Sequence, residues 1–174
     1  VNMVYTPAAD GVEPHIANDI LIDFGGQYTG SQLWVSLTEG SIYQQTPFGA
    51  TGAPSNALLT AFPDLAWDTF VTQGGPTTDS SQGAVGIGGG AVNLGGASDA
   101  VFDTEGINQA WNPAPGVTIM DQTGFMVARV TLTPDAQGTW RYLGSADGVF
   151  GIIGDGEFGD VILSFGQDGL VEDG

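Results

Sequence analysis

The chain has 174 residues, with 20 carboxylate side chains against Arg129 and Arg141, no lysine and no cysteine, for a formal net charge of -18. That balance repels nucleic acid and anionic membrane surfaces, and the missing thiols exclude disulfides, thiolate metal sites and cysteine nucleophiles. A 41% hydrophobic and 10% aromatic composition is that of a folding chain, of about one domain's length, with no apolar run of the roughly 20 residues a membrane helix needs.

In chain order, "VNMVYTP" alternates Val1, Met3 and Tyr5 against Asn2, Val4 and Thr6 before Pro7. This is the pattern of a strand-like arm over 1–7, able to add to a neighbour's open sheet edge. N-terminal processing would explain a start at Val1, as would a fragment boundary. "DILIDF" places Ile20, Ile22 and Phe24 on one face, and "SQLWVSLT" places Leu33, Val35 and Leu37 opposite Trp34, Ser36 and Thr38. "TEGS" then predicts a hairpin into "IYQQ". "SNALLTAF" is the one helical stretch, with Ser55 as N-cap and Pro63 as its stop. "LAWDTFVT" reads as a strand, 74–96 as a glycine-rich loop or weak edge strand, and "AVNLGG", "AVFDT", "GVTIM", "TWRYLGS" and "DVILSF" as further strands. In "FMVARVTLTPDAQGTWRYLGS", Met126, Ala128, Val130 and Leu132 share a face and "PDAQG" supplies a turn. A hairpin centred near Ala136 would make Arg129 and Arg141 diagonal neighbours in one positive patch.

About nine or ten short strands predict an all-β fold, an antiparallel β-sandwich of jelly-roll type with one short helix, in a single domain over 1–174. The stretches "GGAVNLGGASDAVFDTEGINQAWN" and "FMVARVTLTPDAQGTWRYLGSADG" resemble secreted bacterial β domains found upstream of short C-terminal sorting or docking segments. The resemblance covers the second half of the chain. It implies a location outside the cytoplasm and no particular activity.

Catalytic motifs are thin. His15 is the only histidine, too isolated for a Ser-His-Asp arrangement or for zinc. "GIGGGAVNLGG" lacks the Lys-Ser/Thr of a phosphate cradle. Asp64 and Asp68 beside Trp67 are the best guess for a glycosidase pair, in a stretch that reads equally well as a strand with alternate polar positions.

Oxygen ligands for calcium are better represented. "DGEFGD" puts Asp155, Glu157 and Asp160 in one glycine-rich turn, and "DAVFDTEG" offers Asp99, Asp103 and Glu105. Neither has EF-hand spacing, since twelve residues from Asp155 end at Gly166.

Two non-enzymatic readings follow. The first is a secreted structural protein, a surface or filament subunit stabilised by divalent cations, that self-associates through the Val1, Met3 and Tyr5 arm and through electrostatic docking at Arg129 and Arg141. The alternative is a carbohydrate-binding module that stacks sugars on Trp34, Tyr28, Tyr43 or Trp111. No Asn-x-Ser/Thr sequon is present, while "PTTDSS" leaves O-linked sugar open.

Overall fold

The computed structural model describes the backbone at residues 3–6, 15–88, 100–158, 163–165 and 171–173, and the side chains at 15–88, 100–149 and 151. Its strands are β1 (Met3–Thr6), β2 (His15–Glu39), β3 (Phe70–Gly74), β4 (Val85–Gly88), β5 (Val101–Phe102), β6 (Gly106–Pro113), β7 (Met120–Leu132), β8 (Gln137–Ala146), β9 (Val149–Phe158), β10 (Leu163–Phe165) and β11 (Val171–Asp173). The fold is all-β, and every pair of these strands is antiparallel. No helix among the described residues is long and apolar enough to cross a membrane.

β2 organises the molecule. At 25 residues it is several times the usual strand length of about five or six, and it serves two groups of partners. Its first half pairs with β1 and β7, and β7 in turn with β3. Its second half lies between β6 and β8, with β4 and β5 beyond β6 and β9 beyond β8. The two sheets therefore share one strand, and the nine strands curl as one continuous antiparallel sheet into an almost closed barrel.

A twisted strand of this length must bend to pass from one sheet to the other, and it does so at irregular steps. Register shifts fall between Ile22 and Phe24 and between Phe24 and Gln27, where bulges re-aim a strand. Gly26 takes φ 82, a left-handed conformation that costs glycine little. Three aspartates fasten the bend. Asp121 Oδ1 accepts Gly26 N–H at 2.7 Å, Asp147 Oδ1 accepts Gln27 N–H at 2.8 Å, and Asp23 Oδ1 accepts Gly124 N–H at 2.7 Å.

The apolar alternation of β2 reaches the core as expected: Ile20, Ile22, Phe24, Leu33 and Val35 are all buried. Trp111, Tyr28, Tyr142, Phe70 and Phe125 are the largest fully buried side chains. Their polar atoms find partners, as burial requires. Ser31 Oγ sits 2.6 Å from both the Tyr28 and the Tyr142 hydroxyls, and Trp111 Nε1 donates to the Thr72 carbonyl at 3.0 Å. The last contact ties β6 of one sheet to β3 of the other.

The helix α1 (Asn56–Ala61) begins at Ser55, whose side chain accepts from Leu58 N–H. Four expectations change. β7 and β8 do not form a hairpin: each pairs with a different half of β2. "TEGSIYQQ" does not double back either, because Ile42 N–H goes to the Thr104 carbonyl and Tyr43 N–H to that of Thr131. "PDLAW" is a 3-10 turn over Pro63–Trp67, and its strand starts only at Phe70. Proline at the head of that turn suits a helical first position and cannot donate into a sheet. The arm is not a free strand: Met3 lies opposite Asn18, and Tyr5 opposite Ile16, inside the chain.

Candidate binding face

The outer face of the second sheet carries the site. Alternate residues share a face, and the registers set Trp34 of β2 between Arg141 of β8 and Asn108 of β6. Asp155 of β9 lies opposite Arg141, and Val101 of β5 opposite Asn108. The next row runs through Glu157, Thr139, Ser36 and Gly106.

Above these rows lies an open groove of about 640 Å³, bordered by Trp34, Ser36, Val101, Asn108, Thr139 and Arg141. That is within the usual range for a small-molecule site. Trp34 lies outward because Leu33 and Val35 point to the core. The Arg141 guanidinium stands over its ring, 5.3 Å from the centroid, close enough for cation–π attraction. Gln32, almost fully buried, donates Nε2 to Asn108 Oδ1 at 3.0 Å and so orients that amide. The groove thus combines an aromatic ring, an exposed valine, two hydroxyls, an amide and a guanidinium.

Other anticipated residues are distributed differently. Tyr28 and Trp111 belong to the core, 1% and 2% exposed, and present no face to a sugar. Burial lifts the Tyr28 hydroxyl well above the ordinary tyrosine range. Tyr43 is half-buried, with its ring centroid 4.7 Å from that of His15. Burial raises its pKa, and the nearby Asp64 and Asp68 carboxylates add to the effect.

Arg129 and Arg141 do not share a patch. Arg129 grips Asp19 through Nε and Nη2 at 2.6 and 2.8 Å, donates Nη1 to the Ala66 carbonyl, and lies 5.6 Å from the Trp67 ring centroid. It is an internal ion pair and cannot also dock a neighbour.

The acidic clusters divide similarly. Asp155 and Glu157 occupy alternate positions in strand β9 and not a tight turn, and Asp160, Asp99 and Val1 lie outside the described residues. Asp103 Oδ1 accepts the N–H groups of Glu105 and Gly106 at 2.8 and 2.9 Å, which shapes the turn into β6, while Glu105 is exposed. Among the described residues, no three His, Asp or Glu side chains converge as a metal site would need.

Asp68 serves the fold. It is 1% exposed, and its two oxygens accept Gln45 N–H at 2.8 Å and Ala50 N–H at 3.1 Å. Burial pushes its carboxyl up to about 6, against the opposing effect of those hydrogen bonds.

Period-two alternation was enough to turn Trp34 outward. Nothing local in the sequence marks Asn108, Thr139 or Val101 as its neighbours, since that follows from long-range register. Compared with known proteins, the chain matches no family model, no curated protein and no solved structure.

Proposed function

We propose that this chain is a non-enzymatic, extracellular binding module that takes a carbohydrate across the outer face of its second sheet. The observation that carries the reading is the placement of Trp34: outward, at the floor of an open groove, with hydrogen-bonding side chains on both sides. A pyranose ring has one apolar C–H face and a rim of hydroxyls, and the groove offers the counterpart of each. Its aromatic and valine surface meets the C–H face, while Ser36, Asn108 and Thr139 reach the rim.

The extracellular placement rests on composition. With no thiol to keep reduced and 20 carboxylates that salt or divalent cations screen, the chain suits a saline medium outside the cell. The test is a glycan array followed by calorimetry on Trp34→Ala. A saccharide bound by the wild type should lose roughly tenfold or more in affinity, about 1.4 kcal/mol, with an unchanged melting temperature. Glycan binding that Trp34→Ala leaves intact would end this reading.

The structural-subunit reading is kept as second, on a different observation. β9 is a ten-residue strand at the margin of its sheet, paired with β8 among the described strands, and Val149 at its start is 67% exposed. Edge strands of that kind template pairing with another chain. Light scattering and electron microscopy separate the two readings: filaments favour assembly, and a monomer that binds glycan favours the module.

A further inference from the structure

Resting on the carbohydrate reading, we propose that the groove selects uncharged sugar chains, and that Arg141 serves to hold the Trp34 ring in place, not to recognise an anion.

Arg141 is the groove's one cation, and a uronic acid or another carboxylate is the ligand it first suggests. Three observations point the other way. First, the guanidinium is stacked over Trp34 at 5.3 Å from the ring centroid, which gives the cation a structural use through its flat face, separate from its in-plane N–H groups. A planar cation in that position restricts the ring's rotation and covers only one of its two faces.

Second, the rows that cross the groove are acidic at their β9 end. Asp155 is the register partner of Arg141, and Glu157 lies two residues along, opposite Thr139. A carboxylate ligand would approach one positive charge flanked by two negative positions on neighbouring register pairs. The remaining described polar borders, Ser36, Asn108 and Thr139, are neutral hydrogen-bonding groups.

Third, the surrounding field is negative. The formal charge is -18, and the only other cation, Arg129, is committed to Asp19. A polyuronate would be repelled across roughly 8 Å at physiological salt before it reached the groove. A neutral chain is not repelled.

Calorimetry separates the possibilities, using neutral cellohexaose and mannohexaose against oligogalacturonate of equal length, at low and high sodium chloride. The expected result is tighter binding of a neutral hexasaccharide, unchanged within about twofold by salt, because little charge is neutralised on binding. Arg141→Lys, which keeps the charge but loses the planar stack, should weaken it roughly as much as Arg141→Met does. Thr139→Trp, at an exposed position in the row next to the Trp34–Arg141 pair, should block binding by filling the groove. This second variant stands if Arg141 substitutions perturb folding. Preferential binding of the uronate, weakened by salt and retained by Arg141→Lys, overturns the neutral-ligand inference and leaves the groove as a saccharide site. Saccharide binding that survives Thr139→Trp and Trp34→Ala in folded protein overturns the groove reading itself.

Discussion

The Asp147 carboxylate fills the space that a side chain on Gly26 would need. A Cβ placed there would lie 2.1 Å from Asp147 Oδ2, while the Gly26 backbone holds φ 82. The bend that carries β2 from one sheet into the other is therefore closed by a glycine and an aspartate fitted to each other.

Gly26→Ala should cost about 3 kcal/mol or more, since left-handed strain and steric overlap act together. Asp147 itself has φ 52, so Asp147→Gly loses the hydrogen bond to Gln27 N–H but relaxes its own backbone. If overlap dominates, Gly26→Ala should cost less in the Asp147→Gly background, with a coupling of about 1–2 kcal/mol. Urea unfolding of the four proteins checks this, and strict additivity would assign the cost to backbone conformation alone.

Arg129 is the second fixture. Its pair with Asp19 is bidentate, with side chains 12% and 16% exposed, and a third donor reaches the Ala66 carbonyl. Removing the cation leaves Asp19 without its partner in a mostly buried setting, so Arg129→Met should lose about 2–3 kcal/mol. Arg129→Lys should recover only part of that, because an ammonium cannot reproduce the fork or lie flat near Trp67. Chemical denaturation of both variants gives the comparison; full recovery by lysine would show that charge alone matters there.

What local sequence revealed and what it concealed divide on physical lines. The alternation of Ile20, Ile22 and Phe24 and the Ser55 cap depend on a few adjacent residues and came through intact. The path from Leu132 to Gln137 did not. "PDAQG" is a turn, as Ala136 N–H to the Thr133 carbonyl attests, but a turn does not name the partner of the strand that follows. Ala136 is buried and packs so close to Gly40 that a Cβ there would be 2.5 Å from its Cα. The two connections cross tightly, and β7 and β8 leave for separate sheets. The same limit hid the groove: Trp34 could be read as outward, whereas its neighbours Asn108 and Arg141 are set by the registers of β6 and β8 on β2.

Asp103 provides a check on calcium. Its Oδ1 already accepts two backbone N–H groups in the turn before β6, a structural use of a carboxylate that asks for no ion. Asp103→Ala should lower stability by about 1 kcal/mol, to the same extent with and without millimolar calcium. Thermal melts across a calcium titration measure it. A penalty that appears only with calcium would make Asp103 a ligand.

Asp68 gives the last prediction, a pH dependence whose sign follows from burial. Its folded-state pKa lies at about 6 against an ordinary value of 3.8, so between those limits the native protein holds a proton that the unfolded chain has lost. Stability therefore rises as pH falls from about 6 toward 4 and declines as pH rises through that window. Asp68→Asn cannot titrate and removes this contribution. Its amide also replaces one of the two acceptors for Gln45 and Ala50 N–H with a donor, so the 45–50 segment should loosen and the variant should be less stable overall. The informative quantity is the difference between wild type and variant, followed by urea denaturation from pH 4 to 8. The wild-type advantage should be largest near pH 4 and shrink by on the order of 2 kcal/mol by pH 7. An advantage that grows with pH instead would mean that the hydrogen bonds from Gln45 and Ala50 outweigh desolvation and hold Asp68 ionised.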